Sequence, residues 1–436
     1  MELRLPPCRY RSHGDGANVN EAPDNGLKAY IAVTGAYWAF MLTDGALRML
    51  VLLHFHTLGF SPIELAYLFV LYEVMGIVTN LSAGWLAARF GLKSTLYAGL
   101  GLQIIALTAL TQLSPSWSVT VSLAFVMAMQ GLSGVAKDLA KMSSKSAVKL
   151  LAPAEDGALF RWVSILTGSK NAVKGFGFFL GASLLAIFGF KTSLLSMAVV
   201  LAATLAATFY FMPPGLPGGM KGVKFSSVFS KNPQINRLSL ARMFLFGARD
   251  TWFVVGIPIF FYSVLSDGTD DSNRQAFFLI GSFMAFWIIA YGVIQALAPK
   301  LLKQRTQTLE ATVATASLCI GVLSLIPATL ALAAWFNPPG LVAIIVAGLL
   351  VFGFVFALNS AVHSYLILAF TSAKRVTLDI GFYYMANASG RLLGTVMSGA
   401  SYQIGGLPAC LASAAALAIA GWLATRSLVT AQKSLP

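Results

Sequence analysis

Residues 341–370 read LVAIIVAGLLVFGFVFALNSAVHSYLILAF, without a single Asp, Glu, Lys or Arg. About 20 apolar residues in an α-helix cross the roughly 30 Å of hydrocarbon in a lipid bilayer. A lone strand cannot satisfy its own backbone hydrogen bonds in lipid, whereas a helix can. This stretch is therefore predicted to be a transmembrane helix.

Similar stretches recur along the whole chain. Only 11% of the 436 residues are charged and 57% are hydrophobic, whereas a soluble protein carries about a quarter charged residues. Lipid must therefore surround most of the chain, and we predict an all-α membrane protein with twelve spans. We number them 1–12, at 30–53, 63–87, 95–113, 117–136, 161–188, 193–212, 241–264, 276–298, 310–335, 341–370, 380–404 and 407–427.

The basic residues lie in alternate connections between the spans. The net charge of +14 comes from residues scattered between apolar runs, so it predicts no nucleic-acid-binding domain. One set of connections holds the basic groups Arg89 and Lys93, Lys137 to Lys149, Lys221 to Lys231, Lys300 to Arg305, and Lys374 and Arg375; the other set holds only Lys191 and Arg274. Basic connections stay in the cytoplasm, so we predict a multi-pass inner-membrane (plasma-membrane) protein with both termini cytoplasmic.

The longest connection divides the chain into two similar halves. We predict a polar cytoplasmic tail at 1–27, a six-helix half at 28–212, a cytoplasmic linker at 213–236 and a second six-helix half at 237–436. Residues 171–177 in span 5 resemble 387–394 in span 11, and Gly45-Ala46-Leu47-Arg48 resembles Gly247-Ala248-Arg249. Both pairs are six spans apart, as a parallel two-fold repeat requires.

Two arginines stand at equivalent places in spans 1 and 7. An ionisable side chain inside a span costs about 2.5–3.5 kcal/mol, so it usually faces a cavity or a partner. Arg48 and Arg249 facing each other would clamp a phosphate-like oxyanion, since each guanidinium donates two parallel hydrogen bonds. Alternatively, Asp44 neutralises Arg48 from one turn away. Asp250 points about 100° away from Arg249 and is expected not to neutralise it.

Further cations predict a second part of the same cavity. Lys170 and Lys174 share a face of span 5 with Asn171 beside them, and the repeat places Asn387 and Arg391 opposite. Lys170 could instead extend toward the interface. Several central cations predict an anionic substrate with more than one negative charge.

Buried acids are candidates for coupling transport to protons. Asp44, Glu73 and Asp379 are candidate proton carriers, because burial favours the protonated form of a carboxyl group. Glu73 is preferred, and Asp44 serves equally well as a counter-ion. Asp250 and Arg89 complete the predicted coupling and gating set.

A basic stripe follows span 4. Lys137, Lys141, Lys145 and Lys149 recur every four residues, which predicts contact with anionic headgroups or, alternatively, an electrostatic funnel for the substrate.

The positions of the cysteines and histidines do not favour a metal, cofactor or catalytic site. Cys8, Cys319 and Cys410 lie far apart and form no CxxC motif, and the histidines have no acidic or thiol cluster beside them. We therefore expect that the protein binds no metal and no cofactor and that it is not an enzyme. A membrane-embedded enzyme would need a nucleophile–base or metal constellation, and a sensor would need a soluble output domain longer than the roughly 25-residue linker.

Residues 84–93, GWLAARFGLK, resemble the loop motif G-x-L-x-D-R-x-G-R-K of the major facilitator superfamily. Ala88 replaces the motif's aspartate and Leu92 its first basic residue, so the gating network must differ. Residues 42–56, 141–151 and 166–175 (LTDGALRMLVLLHFH, KMSSKSAVKLL and LTGSKNAVKG) look like those of the ArsJ-type organoarsenical efflux permeases of this superfamily.

This resemblance implies a function. It implies efflux of 1-arseno-3-phosphoglycerate, giving arsenate resistance; separately, we expect the transporter to be a monomer. The ester is made from arsenate by a functionally linked glyceraldehyde-3-phosphate dehydrogenase. Organophosphate/phosphate exchange or drug/proton antiport are the alternatives within the superfamily. The dispersed cysteines speak against trivalent arsenic, which prefers soft thiolates.

Overall fold

A computed structural model describes residues 22–90, 92–151, 158–211, 229–371 and 376–433 of the chain, and within these residues there is helix but no strand. The helices are α1 Ala22–Thr57, α2 Pro62–Phe90, α3 Leu92–Leu110, α4 Val119–Leu151, α5 Ala158–Phe211, α6 Pro233–Thr251, α7 Ile257–Leu265, α8 Asp270–Leu301, α9 Leu309–Phe336, α10 Leu341–Phe370 and α11 Val376–Lys433. A π-helical turn, Trp252–Gly256, joins α6 to α7, and a 3-10 turn, Lys303–Arg305, follows α8.

Two of the helices each contain two predicted spans. Gly189 breaks α5 at φ 71° and ψ −178°, and Gly406 breaks α11 at φ 59° and ψ −153°. Glycine adopts positive φ at little cost, so both breaks fall where the sequence allows a turn. Ten helices of the described chain are long and apolar enough to cross a membrane. With α5 and α11 each divided at its break, they account for the twelve predicted spans, and the predicted all-α fold is confirmed.

Several helices extend beyond the predicted spans. Span 4 was expected to end at residue 136, but α4 continues to Leu151. Span 7 was expected to begin at 241, but α6 begins at Pro233, inside the predicted linker. There the Asn232 side chain accepts a hydrogen bond from the Gln234 N–H at 2.9 Å, which caps the first turn. Likewise, α1 begins at Ala22 within the predicted tail. Residues 1–21 and 212–228, the latter including most of the predicted linker, lie outside the described residues.

The same close helix packing occurs in both halves. In the first half, a Cβ on Gly177 of α5 would lie 2.5 Å from the carbonyl oxygen of Leu42 in α1. In the second half, a Cβ on Gly394 of α11 would lie 2.5 Å from the carbonyl oxygen of Gly247 in α6. Glycines allow the backbones of neighbouring membrane helices to approach this closely. Spans 1 and 5 therefore pair as spans 7 and 11 do, in agreement with the sequence repeat.

The register of the repeat differs from the sequence match. Gly177 and Gly181 contact α1 near Leu42 and Ala46, whereas Gly390 and Gly394 contact α6 near Met243 and Gly247. The structure thus aligns Gly177 with Gly390, three residues away from the match of Asn171 with Asn387. By this packing Lys174 corresponds to Asn387, so the sequence match of Asn171 with Asn387 is out of register. The two segments resemble each other because glycines recur in both at similar spacing. Their sequences can therefore be aligned in more than one register.

Candidate functional site

A cavity of about 240 Å³ lies between the two halves. Helices α1, α2, α4 and α5 form its wall on one side, and α6, α8, α10 and α11 form the other. The cavity is lined by one acidic residue, Asp138, and by eight basic residues, namely Arg48, Lys137, Lys141, Lys170, Lys174, Arg242, Arg249 and Arg391. It is thus strongly cationic.

The cavity lies toward one end of the helix bundle. We call this the basic end, since Lys93 and the run from Lys300 to Arg305 lie there. Lys141, Ser364 and Tyr384 line the cavity from the parts of their helices nearer that end. At the opposite end the two halves touch directly.

The contacts that hold the halves together at the opposite end include a hydrogen bond and a ring contact. The Ile63 N–H donates a hydrogen bond to Gln403 Oε1 at 3.1 Å. The His56 ring packs edge-on against Tyr262, with 4.7 Å between the ring centroids. The cavity is therefore closed off from this end.

Glu73 joins the two halves at mid-depth. It is fully buried on α2, and Arg48 of α1 donates a hydrogen bond to its Oε1 at 2.8 Å. Arg391 of α11 forms an ion pair with its Oε2 at 2.6 Å. One carboxylate therefore holds two arginines, and one of them belongs to the other half.

Three other carboxylates hold one cation each. Lys174 Nζ lies 2.9 Å from Asp44 Oδ2, and Lys141 Nζ lies 2.7 Å from Asp138 Oδ1. Arg249 forms an ion pair with its neighbour Asp250. Four buried carboxylates thus pair with five of the eight cavity cations.

Two expectations about these pairs are wrong. Asp44 was a candidate partner for Arg48, one turn away on α1. Instead it pairs with Lys174 and accepts a hydrogen bond from the Tyr72 hydroxyl at 2.7 Å. Glycines bring α5 against α1 at this level, so Lys174 reaches the carboxylate first. Arg249 was expected not to pair with Asp250, but its long side chain bends back to the short carboxylate beside it.

Lys137 and Arg242 line the cavity although neither was predicted to do so. Both stood next to a predicted span boundary, Lys137 just after span 4 and Arg242 at the first turn of span 7. Because α4 continues to Leu151 and α6 begins at Pro233, both lie well inside helices. Extending span 7 back to its capping residue, Asn232, would have identified Arg242.

The basic stripe of α4 does not face lipid at its first two positions. Lys137 is buried, and Lys141 bonds to Asp138 and donates a hydrogen bond to Asn80 Oδ1 at 2.6 Å. The prediction of headgroup contact is wrong for these two residues, because α4 turns this face toward α2. The side chains of Lys145 and Lys149 lie outside the described residues.

The other predicted substrate-binding residues also line the cavity. Lys170 lines the cavity from α5. Asn171 contacts Gln295 of α8 at 3.5 Å. Asn387 accepts a hydrogen bond from Arg242 Nε at 3.1 Å. The structure therefore brings residues from both halves to one space.

Two predicted coupling residues are placed elsewhere. Asp379 is buried near the start of α11, where it accepts a hydrogen bond from the Thr371 hydroxyl at 2.8 Å, and it does not line the cavity. Arg89 belongs to the last turn of α2, and its side chain lies outside the described residues. Within the described residues, no group of three His, Cys, Asp or Glu side chains could hold a metal ion.

Comparison with known proteins identifies the family. Residues 31–395 match the model of the Major Facilitator Superfamily. No curated protein sequence matches the chain. One similar solved structure is a POT family transporter in complex with a thioalcohol-conjugated peptide, with 14% sequence identity, a TM-score of 0.70, and coverage of 93% of this chain and 96% of that chain. A point mutant of the nucleoside transporter NupG has 16% identity and a TM-score of 0.69, with coverage of 93% of this chain and 99% of that chain. A POT family transporter in complex with 5-aminolevulinic acid has 15% identity and a TM-score of 0.70, with coverage of 93% of this chain and 96% of that chain.

At these identities the structural likeness shows the fold alone, whereas the family match covers most of the chain. Together with the apolar helices and the central cavity, it identifies the chain as a multi-pass membrane transporter of the Major Facilitator Superfamily.

Proposed function

We propose that this transporter exports an anionic organoarsenical, 1-arseno-3-phosphoglycerate, across the inner membrane and so confers arsenate resistance. The observation that carries the proposal is the excess of positive charge in the cavity, where eight basic residues meet four carboxylates. The choice among anions rests on the resemblance of residues 42–56, 141–151 and 166–175 to organoarsenical efflux permeases.

The charge of the cavity favours a substrate with two anionic ends. Charges interact more strongly in a protein interior than in water, so an unbalanced set of cations attracts an anion strongly. Arginines are suited to arsenate and phosphate groups, because the planar guanidinium matches two of their oxygens. Arg48 and Arg249 approach the cavity from different halves. A molecule with an arsenate ester at one end and a phosphate at the other could use both.

The charge also weighs against the alternatives. A pump for cationic drugs would need acidic groups to dominate its cavity, whereas basic groups dominate here. An organophosphate/phosphate exchanger would suit the same cavity, so it is the second candidate. Transport assays separate it from arsenical export.

The arrangement of the halves supports alternating access. The cavity lies toward the basic end, while contacts such as Ile63 with Gln403 hold the opposite end closed. If the basic end is cytoplasmic, as the positive-inside rule predicts, the structure corresponds to a carrier ready to take substrate from the cytoplasm. Export would then require the two halves to rock about the midplane.

Glu73 offers a way to couple substrate to this motion. Its ion pair with Arg391 ties α2 of one half to α11 of the other. A substrate anion that binds Arg391 would replace Glu73, and protonation of the released carboxylate would keep it from re-forming the pair. Glu73 thus remains the preferred coupling residue, with a proton as the proposed coupling ion.

Everted membrane vesicles test the proposed substrate. The vesicles are supplied with arsenate, glyceraldehyde 3-phosphate, NAD and glyceraldehyde-3-phosphate dehydrogenase, and arsenic inside them is measured. Accumulation that needs all four components supports the proposal. Accumulation from arsenate alone contradicts it, and uptake of phosphate esters without arsenic favours the exchanger.

A further inference from the structure

Seven of the eight cations of the cavity fall into two groups. Lys141, Lys174 and three arginines each bond to a buried carboxylate. Lys170 has an interaction of its own. Lys137 and Arg242 have no carboxylate within 4 Å among the described side chains, although both are almost completely buried.

Lys137 reaches the cavity without a hydrogen-bond partner. Its side chain is on α4 and is 6% exposed, and within the described structure its Nζ makes no hydrogen bond. The Nζ lies 4.0 Å from the centroid of the Tyr72 ring. The adjacent carboxylate, Asp138, is already occupied by Lys141 and by the Thr79 hydroxyl at 2.6 Å. A buried ammonium group in this position lacks an anion.

Arg242 is held firmly by groups that carry no charge. Its Nε donates to Asn387 Oδ1 at 3.1 Å, and its Nη1 donates to Ser360 Oγ at 3.0 Å and to the Ser360 carbonyl at 3.2 Å. The guanidinium also stacks on the Phe246 ring, 4.1 Å from its centroid. These contacts orient the guanidinium but leave its positive charge unbalanced.

An unpaired cation is a better receptor for an anion than a paired one. An arginine that already bonds to a carboxylate must release it before it can bind substrate fully. An isolated buried charge is costly to the folded protein, and a bound anion removes that cost. A guanidinium already fixed in position loses little further freedom when a ligand binds.

We propose that Lys137 and Arg242 are the primary binding residues for the anionic groups of the substrate, one from each half of the transporter. The ligand class is a small molecule with two phosphate-like or carboxylate groups. This inference rests on the proposed anion transport and names the residues that receive the anion first. The carboxylate-paired cations around Glu73 would engage only after that step. A ligand bound to both halves at once would also favour their closure around it.

Binding to the purified full-length transporter tests the pair. The probes are 2,3-bisphosphoglycerate and inorganic phosphate, and affinity is measured by calorimetry at constant ionic strength. We expect Lys137→Gln and Arg242→Gln each to weaken binding of the bisphosphate by at least about 30-fold, as loss of a buried charge partner does. Lys137→Arg, which keeps the charge, should stay within about fivefold of the wild type. Lys300→Gln at the exposed basic end controls for net charge and should stay within about twofold.

Thermal unfolding without ligand separates binding residues from structural ones. Lys137→Gln removes an unpaired charge, so its unfolding temperature should equal or exceed that of the wild type. Lys141→Gln leaves Asp138 buried without its cation and should unfold at a lower temperature. A lower unfolding temperature for Lys137→Gln than for Lys141→Gln would overturn the assignment of Lys137.

The outcomes distinguish this inference from the proposed function. If the wild type binds neither probe, the cavity is not an anion site and the proposed function fails. If the wild type binds and both Gln variants bind equally well, only the assignment of Lys137 and Arg242 fails. Loss in one variant alone would overturn the pair.

Discussion

The two halves of the transporter share their helix packing but differ in how they hold positive charge. In the first half, Asp44, Glu73 and Asp138 neutralise cations by direct ion pairs. In the second half, Asp250 is the one described carboxylate that pairs with a cavity cation, and Arg391 depends on Glu73 of the first half. Arg249 lies 4.9 Å from the Phe246 ring and 5.6 Å from the Phe253 ring, with Asp250 as its carboxylate.

Because of this difference, the two similar halves are suited to two different tasks, namely rearrangement of ion pairs and binding of the substrate. Ion pairs depend on each other, so removing one member leaves another charge buried and costly. Aromatic faces attract a cation without cancelling its charge, so the cation stays available to an anion. The first half, with three paired carboxylates, is therefore suited to rearranging its partners, and the second half, with one, to leaving guanidinium charge unbalanced for the substrate.

The largest expected effect comes from substituting the glycines at the close helix contacts that both halves share. A Cβ on Gly177 would lie 3.2 Å from the Cα of Gly45, and a Cβ on Gly390 would lie 2.9 Å from the Cα of Met243. We expect Gly177→Leu and Gly390→Leu each to abolish folded protein, because backbone cannot move aside as a side chain can. Fluorescence-detected size-exclusion chromatography of membrane extracts measures this.

Gly101 provides the matched control, since a Cβ there would meet nothing within 4 Å. Gly101→Leu should leave a folded, monodisperse protein. Normal folding of either Gly177→Leu or Gly390→Leu would show that the close packing is not shared.

The next effect concerns transport. Arg48→Ala and Arg249→Ala should each reduce transport by at least about 100-fold, because each removes one side of the proposed clamp. Uptake into everted vesicles measures this, with the amount of inserted protein held equal. Rates close to the wild type in both variants would eliminate the clamp.

A control is needed because Arg249→Ala leaves Asp250 buried without its cation. The double variant Arg249→Ala with Asp250→Asn removes both charges and should restore stability without restoring transport. Recovery of transport in the double variant would mean that Arg249 serves only to neutralise Asp250.

Much of this architecture is predictable from sequence, and the remainder has identifiable causes. Hydropathy locates the spans, because lipid demands apolar length, and α10 coincides with its predicted range of 341–370. Hydropathy falls where charged residues begin, so it cannot show that a span continues through them, as α4 and α6 do. Lys137 and Arg242 were missed for that reason.

Pairing of charges is the part that sequence conveys least. Asp44 and Lys174 are 130 positions apart, and their ion pair depends on how closely glycines bring α5 to α1. Periodicity on one helix suggested Arg48 as the partner of Asp44, but contacts between helices decided the outcome. Cavity-lining residues such as Arg391 were predictable because a charge deep inside a span must face something polar.

A smaller effect, on the free energy of unfolding, compares the ion pairs of the first half with that of the second. Asp44→Asn leaves Lys174 buried without its carboxylate, so we expect a loss of about 3–5 kcal/mol in the free energy of unfolding. Asp250→Asn should cost only about 1–2 kcal/mol, because aromatic rings continue to stabilise Arg249. Urea or heat unfolding in one detergent would compare them. Equal losses would contradict the proposed division between the halves.

The smallest effect concerns equivalent turns at the closed end. The turn before α2 uses Glu64, which accepts hydrogen bonds from the Ser61 N–H at 2.8 Å and the Ser61 hydroxyl at 2.7 Å. The turn before α8 uses Asp267, which accepts hydrogen bonds from the Ser272 hydroxyl and from the Thr269 N–H at 3.0 Å. These hydrogen bonds, that of Ser272 foremost, lower the pKa of Asp267 to about 2.

A carboxylate with a lowered pKa stabilises its turn above its ordinary pKa of about 3.9 and loses that effect as the pH falls through about 2. Hydrogen exchange of the Thr269 amide should therefore keep its protection down to about pH 3, after correction for the intrinsic pH dependence of exchange. Asp267→Ala should speed this exchange by between about twofold and tenfold at neutral pH. The Ser61 amide, held by Glu64 in the other half, should be unchanged in Asp267→Ala. Faster exchange at both amides would mean that the two turns open together, so that the closed end behaves as one unit across the halves.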